Sequence, residues 1–267
     1  MKKIINFAKK YWKDFINFQS TWWNISVKED GFIYIKSSWY KVYDIYEKNS
    51  FSKISICWFN NDISKCHTLQ EDILSKIIES NNTSEKKASI ETWFHMLIKS
   101  KYVVHTHNLY INILLCSKKW QQIFKELFVD EFDYIWYFSP WLALFEELDK
   151  INNHKNIIFL KNHWIISHSD ISFEDAYNNL SKIENTIRDY LKLKNFDNNT
   201  KNLDKVDNYL FPDIIVLEND KDIASVHQYT TDEIVRLNLE VDYLNIEEVE
   251  YIRNMKQEKY RKNLINK

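Results

Sequence analysis

The chain has 267 residues, 45% of them hydrophobic and 28% charged, with a net charge of -2, which suffices for one sizeable core and one domain. That balance lacks the basic excess of a nucleic-acid binder, no apolar run approaches the roughly 18 residues of a membrane span, and Cys57, Cys66 and Cys116 form no disulfide pattern, which suits a reducing cytoplasm. One feature is out of proportion: the chain has 1 Gly and 10 Trp, whereas Gly is about 7% of an average protein.

Along the chain, MKKIINFAKKYWKDFINF reads as an amphipathic helix rather than a signal peptide, because Lys9, Lys10 and Lys13 interrupt its apolar face. Alternating stretches at Ile25–Lys28 and Phe32–Lys36 flank the lone Gly31 and predict a hairpin turning at Glu29-Asp30-Gly31. Further strand-like runs are ISICWF (54–59), KYVVHTH (101–107), NIIFL (156–160) and HWIISH (163–168). Helical periodicity lies between them at Gln70–Ser80, Ile90–Ser100, Leu109–Leu127 and Trp141–Lys150. Ser172 with Asp175 opens a long helix over Phe173–Leu193. A polar loop at 194–208 follows, then strands at 213–218 and 222–228 and a charged helix over Ile246–Lys262. Interleaved short strands and helices predict an α/β fold in a single domain over 1–267, with a mixed, mostly antiparallel sheet covered by helices. Residues 1–193 would be the core of that domain, and 209–267 would add C-terminal strands and a helix to it.

Residues able to do chemistry gather in the first two thirds. His105 and His107 alternate along one strand and so point to the same face, at a metal-ligand spacing. His163 opens another strand, and three protein ligands with an open position are the pattern of a catalytic divalent ion. Taken alone, a His-x-His pair is more often incidental than a metal site. Glu91 alone reads as a helix N-terminal carboxylate stabilised by the macrodipole, with Ser89 as its cap. His95 lies one helical turn beyond Glu91 on the same side. His67, His154, His168 and His227 have no partner pattern and read as surface or core residues, and alternation leaves open which way Lys28 and Lys36 face.

The order of these motifs resembles the class II aldolase/adducin superfamily. KASIETWFH is similar to its Ser-x-Glu helix start with the acid–base glutamate, VVHTH to its His-x-His metal strand, and LKNHWIIS to its Asn-His-Gly strand with the third histidine. The stretch from Trp22 to Trp39 is similar to its phosphate loops, Gly-Gly-Asn-x-Ser followed by Lys-x-Ser-Gly. YLFPDIIVLE and EKYR look closest to the branch related to L-rhamnulose-1-phosphate and L-fuculose-1-phosphate aldolases.

The resemblance implies a three-layer fold and a divalent ion, Zn²⁺ in preference to Mg²⁺ given three imidazoles, on His105, His107 and His163. It implies Glu91 as the general acid–base, with a pKa raised by an apolar wall, and Asn24, Ser38, Trp39 and Ser89 around a sugar phosphate. The implied reaction is retro-aldol cleavage of a ketose 1-phosphate to dihydroxyacetone phosphate and an aldehyde through an enediolate. The same metal site would serve a sugar-phosphate dehydratase or decarboxylase, and the adducin side of the superfamily implies a non-catalytic binding protein instead. A cytoplasmic homotetramer, with no nucleic-acid or membrane partner, goes with the enzymatic readings.

Five family glycines are matched by tryptophan: Trp22, Trp23, Trp39, Trp141 and Trp164. Independent drift would scatter such positions among the small turn-tolerant residues Ser, Asn, Asp and Ala. One shared cause accounts for them better: UGA means Gly in some bacterial lineages, and translation by a table that reads it as Trp writes Trp for Gly. Taken literally, the tryptophans predict a crowded phosphate loop.

Overall fold

A computed structural model describes residues 2–191, apart from 12, 13, 15, 19–22, 39, 41–44, 46–49, 58, 60–70, 116–119, 129, 130, 137–141, 152, 153 and 162, together with 215–216 and 243–244. The expected loop at 194–208, the strand at 222–228 and the helix over 246–262 lie outside the described residues. Of the run at 213–218, Ile215–Val216 pairs antiparallel with Tyr243–Leu244.

Seven strands form one sheet in the order β3 (Phe51–Ser55), β2 (Phe32–Lys36), β1 (Asn24–Glu29), β4 (Tyr102–Thr106), β7 (Ile165–Ser169), β6 (Ile157–Leu160), β5 (Asp133–Ile135). Every neighbouring pair is antiparallel except β5 with β6, so the expected mixed, mostly antiparallel α/β sheet is what the chain builds.

Strand alternation divides the apolar residues between two faces. On one face Ile25, Val27, Tyr102 and Val104 pack under α1 (Lys2–Tyr11) and the start of α7 (Phe173–Leu191). Ile4, Phe7 and Ala8 supply the helix-spaced buried stripe of α1, and Lys9 and Lys10 close its last turn. Further along this face, Phe159 and Ile165 meet Leu180, Ile183 and Ile187 of α7, with α4 (Leu109–Leu115) and α5 (Trp120–Phe128) alongside. On the opposite face Ile33, Ile35, Val103, Ile158 and Ile166 pack against α2 (Glu71–Ser80), α3 (Thr92–Leu97) and α6 (Leu142–Asp149).

Three elements depart from the periodicity. The third strand is Phe51–Ser55 rather than 54–59, because its ladder must match β2, where Phe32 faces Ser55 and Lys36 faces Phe51. The helix expected over Ile90–Ser100 closes at Leu97, since Ile98 turns extended (φ -70, ψ 115) to lead into β4. The helix expected over Leu109–Leu127 is instead α4 and α5, two shorter helices. β5, only 3 residues long, is too short to leave an alternation signal.

The hairpin turns where expected. Asp30 and Gly31 carry φ of 53 and 78, the paired positive values of a two-residue turn whose twist matches its strands. A Cβ on Gly31 would meet only Cys57 Sγ at 3.9 Å, an ordinary contact, so backbone strain alone opposes a side chain there. Gly31→Ala is expected to lower the unfolding free energy by about 1–2 kcal/mol, and Gly31→Asn by less, in urea titrations.

His168 proves to be a core residue. Its Nδ1 shares a 2.9 Å hydrogen bond with Ser100 Oγ, and burial, joined by the nearby His154 and Lys28, brings its pKa to about 4, against the opposing pull of the Lys155 backbone and Asp170. Above pH 6.5 the ring is neutral whether folded or unfolded. Between 6.5 and 4 the unfolded chain takes up a proton that the folded one refuses, so stability falls with pH by about 2 kcal/mol at pH 5. His168→Gln is expected to remove that part of the slope when unfolding midpoints are compared at pH 7 and pH 5.

Candidate metal and substrate site

The site forms where β1 begins and β4 ends. Asn24 lies opposite His105 in the antiparallel register. Because Ile25 and Val27 occupy the α1 face, Asn24 and Ser26 project to the other, which Val103 and His105 share. Above that face the chain from Ala88 to Glu91 enters α3. Ser89 Oγ accepts from Glu91 N at 3.3 Å, and Ser89 O accepts from Thr92 Oγ1 at 2.6 Å; together they fix the turn that aims the carboxylate.

Asn24 ties these segments together. Its Nδ2 donates to Ser89 Oγ at 2.7 Å and to Glu91 Oε2 at 2.8 Å. The same carboxylate oxygen lies 3.4 Å from His105 Nδ1. Ser38 joins from the loop after β2, where its Oγ donates to Ala88 O at 3.1 Å. Asn24, Ser38, Ser89, Glu91 and His105, spread over the first hundred or so residues, therefore converge. Trp39, also expected there, lies outside the described residues, as do Trp22, Trp141 and Asn162.

The surroundings of Glu91 reverse the expected direction of its pKa. Burial alone pushes the carboxyl up, but the charge and hydrogen bond of His105, the charge of His107 and the Asn24 amide outweigh it and hold the pKa at about 2. The wall expected to be apolar is made of donors, and Glu91 is a carboxylate at any physiological pH.

His95 adds a side chain that the sequence placed only as a neighbour of Glu91. Its Nδ1 shares a 2.7 Å hydrogen bond with Ser26 Oγ, while its Nε2 is buried without a hydrogen-bond partner. Nitrogen and oxygen ligand atoms of Glu91, His95 and His105 all lie within 4.8 Å of one another. His107 and His163 stand beside this group, with ring centroids 5.6 Å between His105 and His107 and 6.3 Å between His107 and His163.

The donor set suits a transition-metal ion. Burial first, and then the charges of neighbouring imidazoles, drive His163 well below the usual imidazole range, so its ring is neutral, and its Nε2 has no hydrogen-bond partner. Neutral imidazole nitrogens beside an ionised carboxylate are borderline-soft ligands of the kind that Zn²⁺ and its neighbours take.

The two lysines part company. Lys28 donates to Ile98 O and Ser100 O, which pins the exit of α3 to the entry of β4, and burial pulls its pKa down to about 7 against the charge of Asp170. Lys36 is buried beside the start of β1, where Nζ donates to Tyr40 O at 3.0 Å and lies 5.3 Å from the Trp23 ring. Trp23 turns into the α1 core, edge-on to Phe18 at 5.0 Å, so its indole does not fill the loop as expected.

Trp164 does crowd the site. Its ring centroid is 3.2 Å from His163, 4.0 Å from His105 and 4.8 Å from His107, and its Nε1 is buried without a hydrogen-bond partner. Aromatic pairs prefer about 4.5–7 Å, and Trp120 keeps to that range, 5.9 Å from Phe124 and 5.6 Å from Tyr134. A glycine at 164 would vacate the space among the three imidazoles.

Together the fold and this cluster define an α/β protein with a buried carboxylate–imidazole centre suited to a divalent metal. The chain belongs to the family described as class II aldolase and adducin N-terminal domain, whose model matches residues 3–191. A search of curated proteins finds no match. Solved structures share the fold at low identity. The N-terminal class II aldolase domain of a conserved protein from Thermoplasma acidophilum aligns with a TM-score of 0.60 and 18% identity, over 71% of this chain and 92% of that one. YgbL from Klebsiella pneumoniae, described as a putative aldolase/epimerase/decarboxylase, aligns with a TM-score of 0.52 and 16% identity over 73% and 90%. An L-fuculose-1-phosphate aldolase from Thermus thermophilus aligns with a TM-score of 0.51 and 11% identity over 72% and 94%. No helix among the described residues is long and apolar enough to cross a membrane.

Trp164→Gly is expected to bind Zn²⁺ more tightly than the chain with Trp, as read by competition with a chromophoric chelator. Peptide mass spectrometry of the protein from its natural source is expected to find Gly at 164.

Proposed function

We propose that this protein is a metal-dependent lyase that cleaves a ketose 1-phosphate of the rhamnulose or fuculose type into dihydroxyacetone phosphate and an aldehyde. The observation that carries the reading is the convergence on Asn24, where one amide holds both Ser89 and the Glu91 carboxylate opposite His105. Family membership and the gathering of three imidazoles, with His163 neutral, support a divalent ion, Zn²⁺ in this reading, held by His105, His107 and His163. When bound, the ion supplies Lewis-acid stabilisation of the negative charge that develops on the substrate's carbonyl oxygen.

The chain's own residues do the rest. Glu91 moves the proton as C3 and C4 separate. Its pKa of about 2 describes the charged pocket, and a base so low is weak until the electrostatics change on binding. Asn24 keeps Glu91 aimed with both amide hydrogens committed to Ser89 and Glu91, so the phosphate falls to Ser38, Trp39 and Ser89 in this reading. Lys36 has no part in this reading: it alternates with Ile35 onto the α1 face, opposite Phe51, with Nζ over Trp23. In this reading residues 1–267 form one domain, which works as a cytoplasmic homotetramer.

A second reading draws on Trp164. If the indole among the imidazoles is real, it favours a binding role of the adducin type over catalysis. Product analysis separates the remaining options: aldol cleavage yields two carbonyl fragments, decarboxylation releases CO₂, and dehydration releases neither. Metal-replete protein is expected to release dihydroxyacetone phosphate from such a ketose phosphate, and Glu91→Gln to lower that rate by about 10²–10⁴-fold. Zn²⁺ bound without turnover of any ketose 1-phosphate, with Glu91→Gln behaving identically, would overturn the lyase reading.

A further inference from the structure

Behind His107, on the sheet face away from the candidate site, two amides and two carboxylates form a closed network. Asn17 Oδ1 accepts from Asn108 Nδ2 at 2.7 Å and from Thr106 Oγ1 at 3.4 Å. Asn17 Nδ2 donates to Asp14 Oδ2 at 2.8 Å and to Glu184 Oε2 at 3.1 Å. Asn108 Nδ2 also reaches Glu184 Oε2, at 2.8 Å, while its Oδ1 accepts from Ile111 N at 3.0 Å and caps α4. Tyr177 Oη donates to Asp14 and closes the group.

Both amides have every hydrogen and their carbonyl oxygen engaged, and Asn17, Thr106 and Asn108 are all buried, so each is held in one rotamer. The consequence falls on the residue between. His107 has Thr106 on one side and Asn108 on the other, and one oxygen atom, Asn17 Oδ1, holds both neighbours. A fully satisfied buried polar network rigidifies its surroundings, whereas apolar side chains such as Ile111 and Ile187 nearby would fill the space without fixing an orientation.

We propose that Asn17, Asn108 and Glu184 are positioning residues that fix the backbone on both sides of His107 and so set the aim of its imidazole toward the metal. This rests on the reading of His107 as a ligand. The three residues come from the segment after α1, the turn between β4 and α4 and the middle of α7, and through them α7 would govern the centre without touching it. Partners one step behind a ligand commonly change metal affinity by about 10–100-fold when lost.

The test measures Zn²⁺ affinity of the full chain by chelator competition and, in parallel, the unfolding midpoint of the metal-free protein. Asn108→Asp keeps the oxygen that caps α4 but sets a carboxylate against Glu184 in place of a donor. It is expected to weaken Zn²⁺ binding by about 10–100-fold. Adding Glu184→Gln restores a donor to that contact and is expected to recover most of the affinity, which a loss of general stability would not predict. Should Asn108→Asp fail to fold, Glu184→Ala is expected to lose affinity by about tenfold along with a lower metal-free midpoint. Leu180→Ala, which destabilises the same helix outside the network, is expected to lower the midpoint and keep the affinity. Wild-type affinity in Asn108→Asp or Glu184→Ala, with His107→Ala weakened, would overturn the positioning role and leave the ligand reading standing. Undiminished affinity in His107→Ala would overturn both.

Discussion

The pairing of β1 with β4 is the constraint on which the rest depends. It sets Asn24 opposite His105, and cross-strand neighbours in an antiparallel ladder stand only about 4.5–5.5 Å apart. A slip of one residue would send Asn24 into the α1 core and bring Ile25 into the site. What prevents the slip is apolar burial on the far face, where Ile25, Val27, Tyr102 and Val104 lie under α1 and α7. The polar centre is thus held in register by hydrophobic contacts made on the other side of the same strands.

The strand β4 is consequently flanked by polar groups on both faces at its C-terminal end. On one face Asn24, Ser26, Ser89, Glu91 and His95 surround His105. On the other, Asn17, Asn108 and Glu184 engage the chain around His107. Buried polar groups are tolerable only when satisfied, and here most are satisfied by one another. Three exceptions lie at the centre, where His95 Nε2, His163 Nε2 and Trp164 Nε1 have no hydrogen-bond partner; others, such as Ser50 Oγ and His168 Nε2, lie away from it. The two imidazole nitrogens suit a metal ion, whereas an indole N–H cannot be a ligand. Among the described residues there, Trp164 is the one that contradicts its neighbours in both size and chemistry, and such local conflicts set against a consistent whole call for a specific cause.

Much of this architecture was legible in the residues. The hairpin at Asp30 and Gly31 followed from a local backbone requirement, and α7 from a cap and a long apolar period. Motif order named Asn24, Ser89, Glu91 and His105, which the structure brings together, but not the place His95 takes beside them. Three features were not legible. β3 was misplaced because the Phe51–Ser55 ladder is set by the length of β2, not by its own pattern. The role of Lys28 depended on the carbonyls of Ile98 and Ser100, which lie far along the chain. Asn17 and Glu184 carried no motif, since an amide after a helix and a carboxylate within one are ordinary residues until their partners are known.

The sequence by itself determined the alternation of elements, the turn that needs positive φ, and the fact that His105 and His107 share a face, because each depends only on bonds and periodicities within a few residues. Tertiary structure decided which face that is, that Asn24 and Ser89 meet Glu91, and that the Glu91 pKa falls where burial alone would raise it. Those outcomes depend on charges and donors brought within a few ångströms by strand register, and electrostatic neighbours of that kind have no counterpart in linear spacing.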